Sequence, residues 1–269
     1  MCAVLEALSI LGRETARIVL HGSCVVCERE LPWTGRKASC CGSCWAALPR
    51  ITGAKCDSCA LVIPSEAREP LRDGDSSPSE PALSERQGRE SNGRLGMTRR
   101  CIACLDDPLP VGWTEAWGHY RGSLERVLHA FKFERHDFLD ASLSELIASV
   151  IRDRDFDAIV PVPMHRAKLR QRGYNQAELL GRALGRRLNV RCDSSLLRKR
   201  IDRSPQSTLP RKDRAANVRG VFTTSTEVRG RSILLVDDVC TTGETLRSCA
   251  NALIFAGAAR VCAAVVAKA

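Results

Sequence analysis

The sequence contains no apolar run of the roughly 18 residues that a membrane-spanning helix requires. Its first segment, MCAVLEALSILGR, has no basic stretch ahead of the apolar residues, and Glu6 interrupts them. We therefore expect a short amphipathic helix there rather than a secretory signal. These absences predict a protein of the cytoplasm without a membrane span.

Two common nucleotide-binding signatures are missing as well. The chain has no G-x-x-x-x-G-K-[ST] sequence, which excludes a P-loop for a triphosphate, and no G-x-G-x-x-G sequence for a dinucleotide. Aromatic residues make up only 4% of the chain. This scarcity argues mildly against recognition of single-stranded nucleic acid by stacking bases on aromatic rings.

Cysteine, by contrast, is abundant. Of the 14 cysteines, eight form Cys-x-x-Cys pairs: Cys24/Cys27, Cys41/Cys44, Cys56/Cys59 and Cys101/Cys104. In a protein of the cytoplasm this pattern favours metal ligands over disulfides. Two such pairs complete one tetrahedral sulfur site with no open position, so pairing in chain order predicts two structural zinc ions. Cys40, directly before Cys41, is a competing ligand candidate.

The tract of residues 64–100 is rich in proline, serine, glycine and charge, and it contains no aromatic residue. It cannot bury enough apolar surface to offset an ordering cost of about 1–2 kcal/mol per residue. We predict a disordered insertion here. It separates residues 1–63, with the N-terminal helix and the first cysteine pairs, from a last cysteine pair within 101–110. Residues 111–269 then form the second domain.

Positive charge is concentrated in one part of the chain. The net charge is +10, yet residues 160–220 alone hold 16 Lys or Arg against four Asp or Glu, a local balance of +12. Such a segment attracts polyanions, either nucleic acid or a small ligand with several phosphates. A solvated arginine-rich surface is the plainer interpretation.

Strand and helix patterns alternate in the last part of the chain. Apolar runs at 156–163, 232–237 and 260–267 predict strands that are buried on both faces. Helical spacing of apolar residues predicts helices over 122–133, 139–152 and 176–189, and a further helix that stops at Gly257. Strands that alternate with helices form a parallel sheet with right-handed crossovers, so the predicted fold class is α/β.

The segment ILLVDDVCTTGETL, residues 233–246, joins a strand to a helix. A hydroxyl-rich loop at a helix N-terminus offers N–H and O–H donors to a phosphate, and Thr241 with Glu244 has the spacing of a capping box. Asp237 and Asp238, just past the strand, accept hydrogen bonds from neutral hydroxyls. Phosphate donors beside acceptors for a diol describe a site for ribose 5-phosphate. A receiver-type signalling domain also begins with paired acids, but it needs more chain than the segment after Asp238 provides.

This segment resembles the phosphoribosyl pyrophosphate (PRPP) motif of type I phosphoribosyltransferases. Three further segments resemble the ComF family: YRGSLERVLHAFKF, which contains Lys132, DAIVPVPMHRAKLRQRGYNQA and RSPQSTLPRKDRAANVRGVF. The cysteine pairs resemble that family's N-terminal double zinc ribbon. The resemblance covers nearly the whole chain outside residues 64–100. It implies a type I phosphoribosyltransferase-like parallel sheet flanked by helices, preceded by the double zinc ribbon.

The resemblance also implies roles for individual residues. Asp237 and Asp238 would hold the ribose hydroxyls of PRPP, and Thr241, Thr242, Gly243, Glu244 and Thr245 would wrap its 5-phosphate. Val162, Pro163, Met164 and His165 would face the pyrophosphate together with Mg²⁺. A mobile loop over the site would comprise Arg170, Arg172, Gly173, Tyr174, Asn175 and Gln176, and the lining would include Arg203, Gln206, Arg214 and Asn217. The candidate catalytic groups are Arg170, Arg172 and Lys132.

The family further implies a role in natural competence, with handling of incoming DNA and partners in the competence machinery. Two functions stay open within that role. In the first, the chain transfers phosphoribose from PRPP to an unidentified acceptor and displaces pyrophosphate. In the second, it binds PRPP or single-stranded DNA without catalysis.

Overall fold

The computed structural model describes residues 22–31, 39–63, 99–134, 136–200 and 221–269. The expected N-terminal helix, all but the last two residues of the 64–100 tract, and the candidate ligands Arg203, Gln206, Arg214 and Asn217 lie outside these ranges. The domain boundaries stay predictions. Within the described ranges, no helix has both the length and the apolar character needed to cross a membrane.

A parallel sheet forms the centre of the described chain. Its strands are β1 (Thr114–His119), β2 (Ala158–Pro161), β5 (Ser232–Cys240) and β6 (Arg260–Lys268), in the spatial order β1-β6-β5-β2. Each pairing in this sheet is parallel, with Val160 beside Leu235 and Leu235 beside Ala263. A separate antiparallel pair comprises β3 (Leu197–Lys199) and β4 (Phe222–Thr224).

Helices pack against both faces of the parallel sheet. The helices are α1 (Gly42–Ala46), α2 (Ile102–Leu105), α3 (Gly122–Phe133), α4 (Asp140–Ala148), α5 (Arg166–Arg172), α6 (Gln176–Leu188) and α7 (Glu244–Phe255), with 3-10 turns at Asp137–Leu139 and Thr226–Val228. Side chains of α3, α4 and α6 pack with Leu234 and Val236 of β5, whereas those of α7 pack with Ile233 and Leu235. Because successive residues of a strand face opposite sides, the uninterrupted apolar run buries both faces. The predicted α/β fold class is confirmed.

The helix that follows the candidate phosphate loop stops where the sequence indicates. α7 ends at Phe255, and Gly257 adopts a left-handed conformation with φ of 96°. The N–H of Ala258 donates to Leu253 O at 3.1 Å, which satisfies a carbonyl at the helix end. The glycine therefore lets the chain reverse into β6.

β1 is a strand that the sequence patterns did not predict. It reads TEAWGH, and its polar residues Thr114 and Glu115 are buried. The Glu115 carboxylate tolerates burial because it forms ion pairs with Lys55 and Arg152, the latter at 2.5 Å. Since these partners come from other parts of the chain, local alternation of apolar residues could not reveal the strand.

A segment of the cysteine region covers the outer edge of β1. The N–H of Ile51 donates to Trp117 O at 2.9 Å, and the N–H of His119 donates to Pro49 O at 2.8 Å. A Cβ placed on Gly118 would lie 2.8 Å from Pro49 O, so only glycine permits this close approach. The contacts protect the sheet edge from pairing with another strand.

The connection after β2 and the connection after β5 lead to opposite sides of the sheet. From β2 the chain passes through α6 to residues 191–193, which run parallel to the outer side of β2; there the N–H of Ile159 donates to Arg191 O at 2.9 Å. From β5 it passes through α7 to β6, on the opposite side. Open α/β sheets bind ligands at the carboxyl ends of their strands, at such a switch point. The topology thus places a candidate site between the carboxyl ends of β2 and β5.

Candidate functional site

Two carboxylates stand at the carboxyl end of β5. We expected the strand to end before them, but β5 continues through Cys240 because its backbone keeps pairing with β6, where Asp237 lies beside Val265. Asp238 is buried, and its N–H donates to Asp237 Oδ1 at 2.9 Å. The acids therefore belong to a strand with a fixed backbone rather than to the loop that follows it.

Lys132 balances part of the charge on these acids. It lies in the last turn of α3, and its Nζ is 3.3 Å from Asp238 Oδ2, with only 16% of the lysine side chain exposed. The same Nζ lies 5.6 Å from the centre of the Tyr120 ring. The fold thus brings a candidate catalytic lysine, distant in sequence, into direct contact with the candidate ribose-binding pair.

Burial governs the protonation of the acid pair. It raises the pKa of Asp237 to about 8, and the negative charge of Asp238 adds to this effect. Burial also raises the pKa of Asp238, although the positive charge of Lys132 opposes the shift. At neutral pH the environment therefore favours one retained proton on the pair, since the buried Asp238 carboxylate and the partly buried Asp237 carboxylate repel each other.

This raised pKa predicts a pH-dependent stability. Since folding moves the pKa of Asp237 from its ordinary 3.8 to about 8, the folded chain holds the extra proton between these values. Its free energy of unfolding therefore falls as the pH rises from about 4 to about 8 and levels off above 8. Asp237→Asn is expected to flatten this fall in urea unfolding measured from about pH 5 to pH 9. Glu227→Gln, at an exposed position, is the control, and an unchanged slope in Asp237→Asn would contradict the prediction.

The loop between β5 and α7 presents donors next to the acids. Gly243 precedes α7 with φ of 86°, a left-handed conformation that glycine adopts without strain. The expected capping box between Thr241 and Glu244 is wrong: Glu244 is the first helical residue, and its N–H donates to Thr242 Oγ1 at 3.4 Å. The first N–H groups of a helix have no partner within the helix, so this loop and the first turn, which includes Thr245, suit an anion.

The turn of residues 162–165 leaves the sheet beside the carboxyl end of β5. The N–H of Val162 donates to Val236 O at 2.9 Å. His165 caps α5, because its Nδ1 accepts the N–H of Ala167 at 3.1 Å. Pro163 and Met164 are partly exposed, so the turn is accessible at the same end of the sheet as the acids.

Asn175 and Gln176 join this turn to the end of α3. Asn175 Nδ2 donates to Val162 O at 3.1 Å, and Gln176 Nε2 donates to Lys132 O at 3.2 Å. Gln176 is buried, and its Oε1 accepts a hydrogen bond from Arg172 at 3.3 Å. The resemblance assigned both residues to a mobile loop, and the structure adds a positioning role that no sequence pattern indicated.

The arginine candidates differ in their surroundings. Arg170 is exposed on α5, whereas the Arg172 guanidinium lies 4.5 Å from the centre of the Phe133 ring. Gly173 ends α5 with φ of 84°, and Tyr174 Oη donates to Phe131 O at 2.6 Å. A cavity of about 170 Å³ is lined by Lys132, Phe133, Gln171, Arg172 and Tyr174. Arg172, rather than Arg170, therefore shares a cavity with Lys132.

The chain is similar to known proteins. Residues 172–269 match the family described as the phosphoribosyl transferase domain. The DNA utilization protein YhgH of Escherichia coli K12 is 32% identical over 168 residues, which cover 60% of this chain and 74% of that protein. The chain belongs to the ComF family.

Two further relatives of this ComF-family chain carry competence names. Competence protein F of Haemophilus influenzae is 33% identical over 146 residues, which cover 51% of this chain and 64% of that protein. Competence protein ComFC of Bacillus subtilis is 27% identical over 219 residues, which cover 81% of this chain and 79% of that protein. The ComFC match therefore extends over more of the chain than the phosphoribosyl transferase domain does.

The paired cysteines of the ComF-family chain come together in two groups. The first tetrad comprises Cys24, Cys27, Cys41 and Cys44, and the second tetrad comprises Cys56, Cys59, Cys101 and Cys104. Within each tetrad the four sulfur atoms lie within 4.8 Å of one another. The grouping follows the chain order that we expected, and four convergent sulfurs fit a tetrahedral zinc ion.

Both tetrads are built in the same way. The first cysteine pair of each lies in a tight turn, after which Glu28 and Ala60 adopt left-handed conformations with φ of 62° and 60°. The second pair starts a short helix, with Cys41 and Cys101 as the N-caps of α1 and α2. This internal repeat was not visible as sequence similarity, because the two modules share little beyond their cysteines.

Backbone N–H groups favour the metal-binding thiolate form of Cys24, a member of the first tetrad. Burial raises the pKa of Cys24, but donation from the N–H groups of Cys41, Cys27 and Val26 outweighs it and brings the pKa down to about 6. The competing candidate, Cys40, is outside both tetrads. Its Sγ donates to Cys41 O at 3.6 Å, and burial raises its pKa to about 12. The geometry thus selects Cys41 over Cys40.

Proposed function

We propose that this ComF-family chain binds PRPP with Mg²⁺ in the crevice between the carboxyl ends of β2 and β5. The observation that carries the proposal is the pair Asp237 and Asp238, held on β5 directly before an anion-binding loop at the topological switch point. A ligand with a phosphate on one side of a diol matches that order of donors and acceptors. PRPP adds a pyrophosphate, which suits the lysine and arginine nearby.

Each part of the ligand would meet a different part of the site. The 5-phosphate would accept hydrogen bonds from the loop of residues 241–245, and the ribose hydroxyls would donate to Asp237 and Asp238. The pyrophosphate would face the turn of residues 162–165. Mg²⁺ would enter with the ligand and neutralise charge on the pyrophosphate oxygens. The carboxylates, hydroxyls and main-chain oxygens available there are ligands of the hard type that Mg²⁺ prefers.

Lys132 provides an electrostatic link between the acids and the pyrophosphate. In the described chain its Nζ contacts Asp238, while its backbone carbonyl is held by Gln176. Arg172 lines the same cavity as Lys132, which supports a role for both side chains in stabilising the charge that would develop on a departing pyrophosphate. We propose that the bound phosphoribose is then transferred to an acceptor whose chemistry the site does not specify.

The names of the relatives support a proposal for the biological setting. Relatives named for DNA utilization and competence align with 51% to 81% of this chain. We propose that the chain acts on incoming DNA in the cytoplasm, together with proteins of the competence machinery. Two zinc ions, one in each tetrad, would serve as structural elements, because four thiolates leave no open coordination position.

Binding of single-stranded DNA is a second candidate function. Helix α5 buries none of its residues and exposes Arg166, Lys168 and Arg170 on the surface next to the site. A positive surface of this kind binds a phosphate backbone independently of sequence. PRPP binding at the site should depend on a metal, whereas DNA binding at this surface should depend on the salt concentration. The two functions can therefore be distinguished by experiment.

A binding experiment separates the two functions. Calorimetry should show PRPP binding that disappears when Mg²⁺ is omitted and that changes less than about tenfold between 50 and 200 mM salt. DNA binding would instead weaken by about 10³-fold over that range if six phosphates are contacted. Mg²⁺ is omitted rather than chelated, because a chelator would also strip zinc from the tetrads. Ribose 5-phosphate and pyrophosphate serve as partial ligands, and PRPP binding that is equally strong without Mg²⁺ would contradict the proposed site.

A further inference from the structure

The chain segment that follows the second tetrad contacts the loop of residues 241–245, which is called the phosphate loop below. Leu109, five positions after the ligand Cys104, is buried and lies directly against Gly243. A Cβ placed on Gly243 would be 3.2 Å from Leu109 Cδ1. The left-handed glycine at the start of α7 is thus covered by the segment that leaves the tetrad.

Arg247, in the first turn of α7, forms hydrogen bonds with the same segment. Its Nη1 donates to Asp107 Oδ1 at 3.0 Å and to Pro108 O at 2.9 Å, and its Nη2 donates to Asp107 O at 3.0 Å. Two of these acceptors are backbone carbonyls, whose positions depend on the path of the chain after Cys104. The arginine therefore connects the helix that begins the phosphate site to the conformation of the metal-binding segment.

Ser58 completes the connection from inside the tetrad. It lies between the ligands Cys56 and Cys59, and its Oγ accepts the N–H of Leu109 at 2.7 Å. Its backbone carbonyl accepts a hydrogen bond from Thr114 Oγ1 at 2.6 Å, on β1. The turn that carries two cysteine ligands thus holds Leu109 in place against the loop.

The first tetrad makes its described contacts elsewhere. Arg126 of α3 donates to Val26 O at 2.9 Å, and His136 Nδ1 lies 2.5 Å from Ser39 Oγ. Val25 and Trp45 pack against the cluster that contains α3 and α4. The two similar metal modules are therefore docked on different parts of the fold, and the second one adjoins the phosphate loop.

We propose that the second tetrad positions the phosphate loop, through Leu109 and Arg247, so that metal at this tetrad controls the affinity of the site. The loop must hold its N–H donors in place before the ligand arrives, since ordering them on binding would cost affinity. Without metal, the turn that contains Ser58 would lose its fixed conformation. Leu109 and the backbone carbonyls that accept hydrogen bonds from Arg247 would then lose their fixed positions as well. The first tetrad has no such effect. The statement about affinity rests on the proposed PRPP site, whereas the positioning of the loop does not.

Amide hydrogen exchange on the full chain tests the positioning. In Arg247→Met, which keeps the side-chain length but removes the donors, and in Cys59→Ser, peptides covering residues 241–248 should exchange at least tenfold faster than in the wild type. Arg126→Met and Cys27→Ser are the matched variants at the first tetrad and should leave these peptides unchanged. Peptides of β6 are the internal reference, because a general loss of stability would accelerate them as well.

PRPP affinity forms the second measurement. We expect Arg247→Met to bind PRPP about tenfold more weakly, with a zinc content equal to that of the wild type. A wild-type chain that binds no PRPP would overturn the proposed function, while the exchange data would still decide the positioning. Wild-type exchange at 241–248 in Arg247→Met overturns the positioning proposal, and so does equal acceleration in the Arg126→Met and Cys27→Ser variants.

Discussion

Asp237→Asn combined with Asp238→Asn is expected to weaken PRPP binding by at least about 100-fold. A hydrogen bond from a hydroxyl contributes about 1.5–3 kcal/mol with a charged acceptor and about 0.5–1.5 kcal/mol with a neutral one, and the two together correspond to a factor of this size. A simple charge effect has the opposite sign, since removing negative charge beside a polyanion would strengthen binding. A loss of affinity therefore reports recognition of the ribose hydroxyls rather than electrostatic attraction.

Calorimetry with PRPP and Mg²⁺ measures this change, and metal analysis should find the same zinc content in the variant as in the wild type. The matched control is Glu125→Gln with Glu227→Gln, which removes two negative charges at exposed positions away from the site. Normal PRPP affinity in the Asp237/Asp238 variant would show that the acids do not hold the sugar. Equal loss in the control would show that the effect is not specific to these two acids.

Removal of a single tetrad ligand is expected to cost one zinc ion and to destabilise the module that contains it. Metal analysis of the wild type should find about two zinc ions per chain, one for each group of four sulfurs. Cys24→Ala and Cys56→Ala should each retain about one. Structural zinc contributes on the order of 10 kcal/mol in small modules, so these variants should also show large losses in thermal stability.

Cys40→Ala is the decisive control for this experiment. Cys40 is adjacent to a tetrad ligand and partly buried, but it is not among the four convergent sulfurs. We expect this variant to keep about two zinc ions, because the thiol of Cys41 occupies the ligand position. A folded wild-type chain without zinc would refute the metal assignment, and loss of one ion in Cys40→Ala would reverse the choice between the neighbouring cysteines.

Local patterns revealed most of the elements that frame the site. The apolar runs that became β2, β5 and β6 are buried on both faces, and the helical spacing of Leu124, Val127 and Leu128 places them in the core. These signals are reliable because burial imposes a period on neighbouring residues. The cysteine spacing was equally informative, since one metal ion requires ligands at short, fixed separations.

Other features depend on partners that are distant in the sequence. β1 escaped prediction because Glu115 is stabilised by Lys55 and Arg152, and β5 extends past its expected end because β6 continues to pair with it. The expected capping box failed because Gly243, rather than Thr241, precedes the helix. For the two strands, a tertiary contact outweighed a local preference.

The sequence by itself determined the chemistry that this protein has available: two acids before a hydroxyl-rich loop, eight paired cysteines and a basic segment. It did so because these groups act in short motifs whose spacing is fixed by covalent geometry. Only the tertiary structure decided how the motifs are joined. In the folded chain Lys132 forms an ion pair with Asp238, and Cys41 rather than Cys40 joins the first tetrad. The second tetrad lies beside the phosphate loop. Such contacts cross long stretches of chain, so they depend on how the sheet and helices pack rather than on any local pattern.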